Sequence, residues 1–257
     1  MADPENILIL TPLKDAAHHL EAYFASLSGQ TYPAERISLG ILESDSTDGT
    51  YDAVAARLRD LRGRYRRVGL WKHDFGFHIP PGIPRWEPAF QLPRRQVLAR
   101  SRNRLLSNAL VDEDWVLWLD GDVCEYPPDI VERLIATGRS IVNPHCVLEY
   151  GGPTFDRNAW RDHGRTHLDD LRGGPDLVRL DAVGGTMLLV RADIHRDGLI
   201  FPPFPYGPHH RAARPANPML PAGERGEVET EGLGLMAQDM GHQCWGLPNL
   251  EIRHAAD

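Results

Sequence analysis

The sequence predicts an α/β protein with a central, mostly parallel sheet flanked by helices. Three observations predict it. Within the first 143 residues, short apolar β runs alternate with segments whose apolar residues recur at helical spacing, the pattern of a parallel sheet with helices on both faces. One run, Trp115–Leu119 (WVLWL), is apolar at every position, as a strand covered on both sides must be. The chain has 257 residues, 42% hydrophobic and 25% charged, which is globular composition and enough length to bury a core without covalent staples.

Asn6–Thr11 (NILILT) reads as the first strand. Leu20, Tyr23, Phe24 and Leu27 fall at i, i+3, i+4 and i+7 of a helix that Gly29 closes. Ile37–Leu42 is a second strand, after which Asp48 caps a helix with Tyr51, Val54, Ala55, Leu58 and Leu61 on one face. Arg67–Trp71 is a third strand, residues 95–110 form a helix, and Trp115–Leu119 is the buried central strand. Pro128 opens a short helix in its first turn, and Ser140–Asn143 leads into a further strand.

The second half is less regular. Val178–Ala182 and Thr186–Val190 read as strands, and Leu233, Met236, Ala237 and Met240 make one helical stripe stopped by Gly241. Leu250–His254 is a last strand. Residues 80–93 hold five prolines and 202–221 hold seven, together 12 of the 21, which predicts irregular loops there and a lid over 202–221. No internal repeat, low-complexity tract or linker divides the chain.

The formal charge of −8 excludes a general nucleic-acid or anionic-membrane binder. Its distribution is more informative. Residues 112–132 hold eight acids and no Lys or Arg below Arg133, whereas residues 85–104 hold six arginines against Glu87 alone. An acidic block beside a basic one suggests a site that handles both a cation and an anion. The three cysteines form no CxxC pair, so neither a disulfide framework nor a structural zinc site is indicated. No run of 18 apolar residues is present, and the N-terminus lacks the regions of a signal peptide. The expectation is a soluble, cytoplasmic protein, peripheral at a membrane at most.

Asp120-Gly121-Asp122 directly follows the apolar strand WVLWL. Two carboxylates leaving a buried strand, with a glycine allowing a tight turn, can converge on a hard divalent cation. Read alone, the same residues make an ordinary acidic turn. The stretch ESDSTDGT puts Glu43 and several hydroxyls at the carboxyl end of the second strand, where a nucleoside could be read, although Thr47 and Asp48 also suit a turn and helix cap. Arg95 and Arg102 are seven residues apart and share one helix face, where planar guanidinium groups suit diphosphate oxygens. Arg100 and Arg104 read as solvated. Of the twelve histidines most are bland, the pairs His18-His19 and His209-His210 included. His254 matters only if its strand lies beside the Asp120–Asp122 turn.

The order ILILTP, ILESDSTDGT, LARSRN and DWVLWLDGDV resembles a metal-dependent GT-A glycosyltransferase. The segments AVGGTMLLVRADIHRDGLIFPPFP, VETEGLGLMAQDMG and CWGLPNLEIRH bring it closer to the fungal Golgi mannan-polymerase mannosyltransferase family, and the resemblance runs from about Ile7 to His254. It implies a GT-A Rossmann-like sandwich and retaining transfer of mannose from GDP-mannose, with manganese or magnesium as metal, to a glycan or other hydroxyl acceptor. Asp120 and Asp122 match the metal- and donor-binding DxD, and His254 matches the C-terminal histidine ligand. Thr11, Pro12 and Glu43 match the nucleoside wall, Arg95, Arg102 and Asn103 the helix facing the nucleotide. Gly121 sits within the donor-binding turn, and Gly184 and Gly185 match the loop beneath the donor sugar. Glu229 and Glu231 match the acidic pair near the acceptor and, with Asp120, are the candidate catalytic residues.

The chain departs from the family in having Gly121 where alanine is usual, in lacking an N-terminal membrane anchor, and in an apparent insertion over residues 207–227. The expected organisation is one GT-A domain over 1–257, with a nucleotide-sugar half (1–143) and an acceptor half (144–257), as a monomer or homo-oligomer. Two readings compete. One is a GT-A transferase with another nucleotide-sugar, inverting, with Glu231 as general base. The other is a non-catalytic subunit of a glycosylating complex.

Overall fold

Strands that are apolar on both faces must be covered on both faces, and the chain supplies a helical layer on each side of its sheet. The computed structural model describes residues 4–84 and 86–256; Met1–Asp3, Asp257 and Arg85, one of the six arginines of the basic stretch, lie outside the described residues. In chain order the elements are β1 (Ile7–Leu13), α1 (Leu20–Ser28), β2 (Ile37–Glu43), α2 (Thr50–Ala55), α3 (Leu58–Arg64), β3 (Arg67–Lys72), α4 (Pro88–Ala109), β4 (Trp115–Leu119) and β5 (Val123–Glu125). They continue with α5 (Ile130–Ala136), β6 (Ile141–Val147), β7 (Trp160–Arg161), β8 (Thr166–His167), β9 (Val178–Leu180), β10 (Met187–Arg191), α6 (Ala192–Arg196), α7 (Glu229–Asp239) and β11 (Cys244–His254).

The main sheet has the order β3-β2-β1-β4-β10-β6-β11-β5, with β9 also paired to β11. Strands β1 to β4 run parallel. β10 is antiparallel to both β4 and β6, and β11 is parallel to β6. Strands β5 and β9 run against β11, so the sheet is mostly parallel, as expected. Alternation along β1 builds both halves of the core. Ile7, Ile9 and Leu13 pack with Leu20, Tyr23, Phe24 and Leu27 of α1, while Leu8 and Leu10 pack with Ala99, Leu105, Leu106 and Ala109 of α4. Each such fully buried aliphatic side chain stabilises the fold by about 1.5–3 kcal/mol relative to exposure.

Four elements differ from the sequence expectation. The helix predicted after Asp48 is two, α2 and α3, because the chain tightens at Arg57, whose N–H donates to the Val54 carbonyl three residues back. Residues 88–93 are helical despite their prolines. Pro88 sits at the first turn, where its missing N–H is no loss, and Pro93 removes one bond from a helix whose later turns are anchored by buried Ala99, Leu105 and Leu106. Helix α7 starts at Glu229, ahead of its apolar stripe. The last strand starts at Cys244 and contains a register shift between Leu247 and Glu251. Pro248 lies in that shift and Pro144 pairs with Leu247, so ladder N–H groups are missing from both strands there.

Among the described residues no helix is long and apolar enough to cross a membrane. Gly40 lies where α4 crosses β2, and a β-carbon there would sit 2.6 Å from Leu10 Cδ2 and 2.9 Å from Ala109 Cβ. Gly40→Val is expected to destabilise by about 1–3 kcal/mol, read as a lower midpoint of urea unfolding at unchanged slope.

Candidate active site

Three backbone links draw distant motifs to the carboxyl end of β4. The Asp120 N–H donates to the Thr186 carbonyl (2.9 Å), and the Ala255 N–H donates to the Asp122 carbonyl (2.8 Å). His254 pairs with Val123 across β11 and β5. The final strand therefore does lie beside the Asp120–Asp122 turn, the condition on which His254 depended. Gly121 closes the turn against Leu13, whose Cδ2 would lie 2.4 Å from a β-carbon there.

His254 Nδ1 faces the Ala255 carbonyl at 2.6 Å, an acceptor only, so Nδ1 carries the proton and Nε2 faces Asp122 Oδ1 at 3.0 Å. Burial alone would lower the His254 pKa, but the Asp122 carboxylate outweighs it and the pKa lies above its ordinary value. Two donor atoms 3.0 Å apart are spaced as cis ligands of an octahedral ion with bonds of about 2.1 Å. Carboxylate oxygen with one imidazole fits a divalent ion such as Mn2+. Among the described residues no group of three His, Cys, Asp or Glu side chains is placed to hold a metal unaided. Asp120 is instead turned onto Arg102. The predicted three-ligand set is a pair with a neighbour, an open site that a ligand's own oxygens would complete.

Arg102 is only 3% exposed, and its Nη2 donates to Asp120 Oδ1 (2.8 Å) and to the Gly185 carbonyl (3.3 Å). Its Nε lies 3.1 Å from Glu229 Oε1, and the guanidinium stands over the Trp118 and Phe201 rings. Asp120 is 26% exposed at its side chain but walled by protein elsewhere, and this desolvation pushes its pKa up to about 6, Arg102 opposing and Asp122, Asp156 and Glu229 adding. The Gly184–Thr186 loop is held by Asp156, whose Oδ2 accepts the N–H groups of Gly185 (2.8 Å) and Thr186 (3.1 Å). A β-carbon at Gly184 would lie 2.5 Å from that same oxygen, and one at Gly185 would lie 2.7 Å from Thr230 Cγ2 and 3.0 Å from Arg102 Nη2. Asp156 went unnoticed in the sequence, where it is one acid in an irregular stretch.

The acidic pair is split. Residues i and i+2 on a helix do not share a face, and Glu229 borders one chamber while Glu231 borders another. The first, about 360 Å3, is also lined by Asp120, Asp122, His254, Arg102 and Gly185. The second, about 370 Å3, is lined by Trp160, Arg214 and Met219 among others. Glu229 has a backbone φ of 61°, a left-handed conformation costly for a side chain with a β-carbon. Glu231 accepts from Trp160 Nε1 (3.0 Å) and is paired with Arg214 Nη2 (3.0 Å); burial raises its pKa, Arg95 and Arg214 opposing. Arg95 stands between the two chambers, its Nη1 3.6 Å from Glu229 and 3.5 Å from Glu231, with Nη2 on Asn158. Arg214 comes from the apparent insertion and also binds Glu227 through Nε (3.0 Å) and Nη2 (2.6 Å), which pins that segment.

Other predicted residues fall outside both chambers. The Thr11 hydroxyl is hydrogen-bonded to Tyr23 in the core, and Pro12 pairs with Leu42. Glu43 is buried at the end of β2; its Oε1 accepts the Ser46 N–H, while Oε2 has no hydrogen-bond partner among the described residues. Asn103 does not face the cleft, since its amide exchanges two hydrogen bonds with the backbone of Phe201. Thr47 and Asp48 serve the turn, Asp48 accepting from the Ala17 and Thr50 N–H groups and Thr47 donating to Asp15. His210, expected to be bland, lies 3.5 Å from Asp239.

A mostly parallel sheet with a carboxylate pair at the end of its central strand and a histidine arriving from the terminal strand defines the GT-A class of glycosyltransferase fold. A mannosyltransferase from Pyrobaculum calidifontis, solved with GDP-Man and Mn2+, superposes over 98% of this chain and 57% of its own at a TM-score of 0.57 and 15% identity. S. aureus TarS (residues 1–349) covers 98% of this chain and 60% of its own at a TM-score of 0.54 and 13% identity. At these identities the likeness is one of fold. The chain belongs to the Anp1 family, whose model matches residues 1–172 and 164–205. It is 30% identical to the mannan polymerase II complex anp1 subunit of Schizosaccharomyces pombe (97% of this chain, 64% of that one) and 29% identical to the ANP1 subunit of Saccharomyces cerevisiae (97% and 55%). The chain thus spans less than two thirds of the length of these relatives. The mnn9 subunit of the S. pombe mannan polymerase complex is 30% identical, with 97% and 80% covered.

Two outcomes follow from this geometry. A proton and a metal compete for His254 Nε2, whose pKa is raised, so Mn2+ affinity should climb as pH rises through that pKa and fall below it. Calorimetry in buffers of different ionisation enthalpy should count about one proton released per ion at acidic pH, and His254→Gln should abolish that release. Gly185→Ala should push Arg102 off Asp120, lowering ligand affinity with a melting temperature changed by a few degrees at most, about 1 kcal/mol.

Proposed function

We propose that the chain is a metal-dependent glycosyltransferase that moves mannose from GDP-mannose, with retention of configuration, onto a saccharide hydroxyl. The observation that carries the reading is the pairing of Asp122 with His254 beside Asp120, at the mouth of a chamber floored by the Gly184–Thr186 loop. A fold neighbour solved with GDP-Man and Mn2+ and relatives named as mannan polymerase subunits support it. Asp122 and His254 would hold the ion, with Asp120 beside them. When bound, the ion supplies Lewis-acid stabilisation of the departing diphosphate.

The chain's own groups do the rest. Arg102 fixes Asp120 and the Gly185 carbonyl, so the floor and mouth of the chamber move as one unit. Glu229, whose Oε1 has no hydrogen-bond partner among the described residues, offers negative charge to an electron-poor anomeric carbon. The bond from that carbon to the diphosphate oxygen breaks as the acceptor oxygen joins the same face, and the acceptor proton passes to the departing oxygen. No protein nucleophile is required. Glu231 is poorly suited to be the general base of an inverting enzyme, because Trp160 and Arg214 already occupy its lone pairs and Arg95 stands 3.5 Å away.

Asp122→Ala is expected to reduce GDP release from GDP-mannose by about 10²–10³-fold while leaving the circular dichroism spectrum unchanged. Proton NMR of the first-formed product should give the α anomer. A β product would overturn retention, and no GDP release by the wild type with Mn2+ and a mannoside would favour a non-catalytic subunit.

A further inference from the structure

The second chamber lies beyond Arg95, and neither Asp120, Asp122 nor His254 lines it. At about 370 Å3 it is within the range of small-ligand pockets. Trp86, Gln91, Arg95, Arg157 and Asn158 border both chambers, so the two open into one another. Trp86 is 68% exposed, more than any other large apolar side chain described. An indole left in water forgoes burial, and on the rim of a cleft it presents a flat apolar face to whatever enters.

The charges around this chamber balance. Arg214 is held by Glu227 and Glu231, and Arg95 by Glu229 and Glu231. With Arg157, three guanidinium groups stand against three carboxylates, so the wall carries no net field to draw an anion. What it offers is an aromatic face, the amides of Asn158 and Gln91, and one edge of Glu231. That combination matches a pyranose, whose C–H face is apolar and whose rim is ringed with uncharged hydroxyls.

We infer that the second chamber binds the acceptor as an uncharged saccharide, its terminal ring stacked on Trp86 and its hydroxyl edge turned to Asn158, Gln91 and Glu231. This rests on the transferase reading and deepens it by assigning the acceptor's chemical class and seat. The segment carrying Arg214 and Met219 forms one wall, so the apparent insertion shapes the acceptor side and leaves the metal-binding mouth alone.

The test is a set of calorimetric titrations of the full chain with Mn2+: GDP first, then mannotriose, then a disaccharide ending in glucuronic acid as the anionic probe. Mannotriose should bind, and Trp86→Ala should weaken it about tenfold while the GDP titration does not move. Trp86→Phe should restore most of the affinity. Because Trp86 is exposed, neither variant threatens the core. The inference is overturned if Trp86→Ala weakens GDP instead of mannotriose, if the anionic probe binds tighter than mannotriose, or if GDP binds and mannotriose does not by millimolar concentration. Mannotriose binding without GDP would uphold the chamber and sink the transferase reading. Binding of neither would sink both.

Discussion

The site depends on one buried cation. Arg102 brings a permanent charge into the interior, where desolvation is severe, and only the carboxylates of Asp120 and Glu229 together with the Gly185 carbonyl make that tolerable. Those partners come from the end of β4, the first residue of α7 and the loop before β10, so one guanidinium ties three segments to α4. Behind it the wall is apolar and ordered. Trp118 packs edge-on against Phe201 and donates through Nε1 to His195 Nε2, while His195 Nδ1 donates to the Leu199 carbonyl. Burial drops the His195 pKa to about 4, which keeps it neutral and able to accept that bond.

Catalytic and structural duties are therefore difficult to separate in this family. Removing one carboxylate from a buried pair of this type costs about 3–5 kcal/mol, because the other charge is left uncompensated. An intact Asp120 and Glu229 speak for a stable fold as well as for turnover. Asp122 and His254 are better witnesses to metal use. They sit at the mouth, satisfy no buried cation, and face each other at a spacing that suits shared ligation.

Legibility in the sequence followed the strength of local signals. β1 and β4 declared themselves because strands buried on both faces have almost no polar residues, and α1 because its stripe is regular. The Asp120–Asp122 turn, Arg102, Gly185 and His254 were legible as chemistry, and the structure brings all four together. Asp156 and the Arg214–Glu227 clasp were not, because their partners lie 29 and 13 residues away across irregular chain, with no period to reveal them. The α4 start was hidden by its prolines, whose local preference is overridden by the buried later turns. Asn103 shows the opposite error, a polar residue on a functional helix whose amide in fact braces the backbone of Phe201.

Glu229 carries a cost that no contact list records. Its left-handed backbone would be unstrained for glycine and milder for asparagine, yet a glutamate stands there, at a penalty on the order of 1–3 kcal/mol. A chain drifting without selection for activity would relieve that strain early. Arg102, deprived of one counter-charge, would have to change with it. The pair of positions 229 and 102 is thus a ledger of use: among relatives, those that keep the uncomfortable glutamate are being held to it by chemistry, and those that have exchanged both have been released.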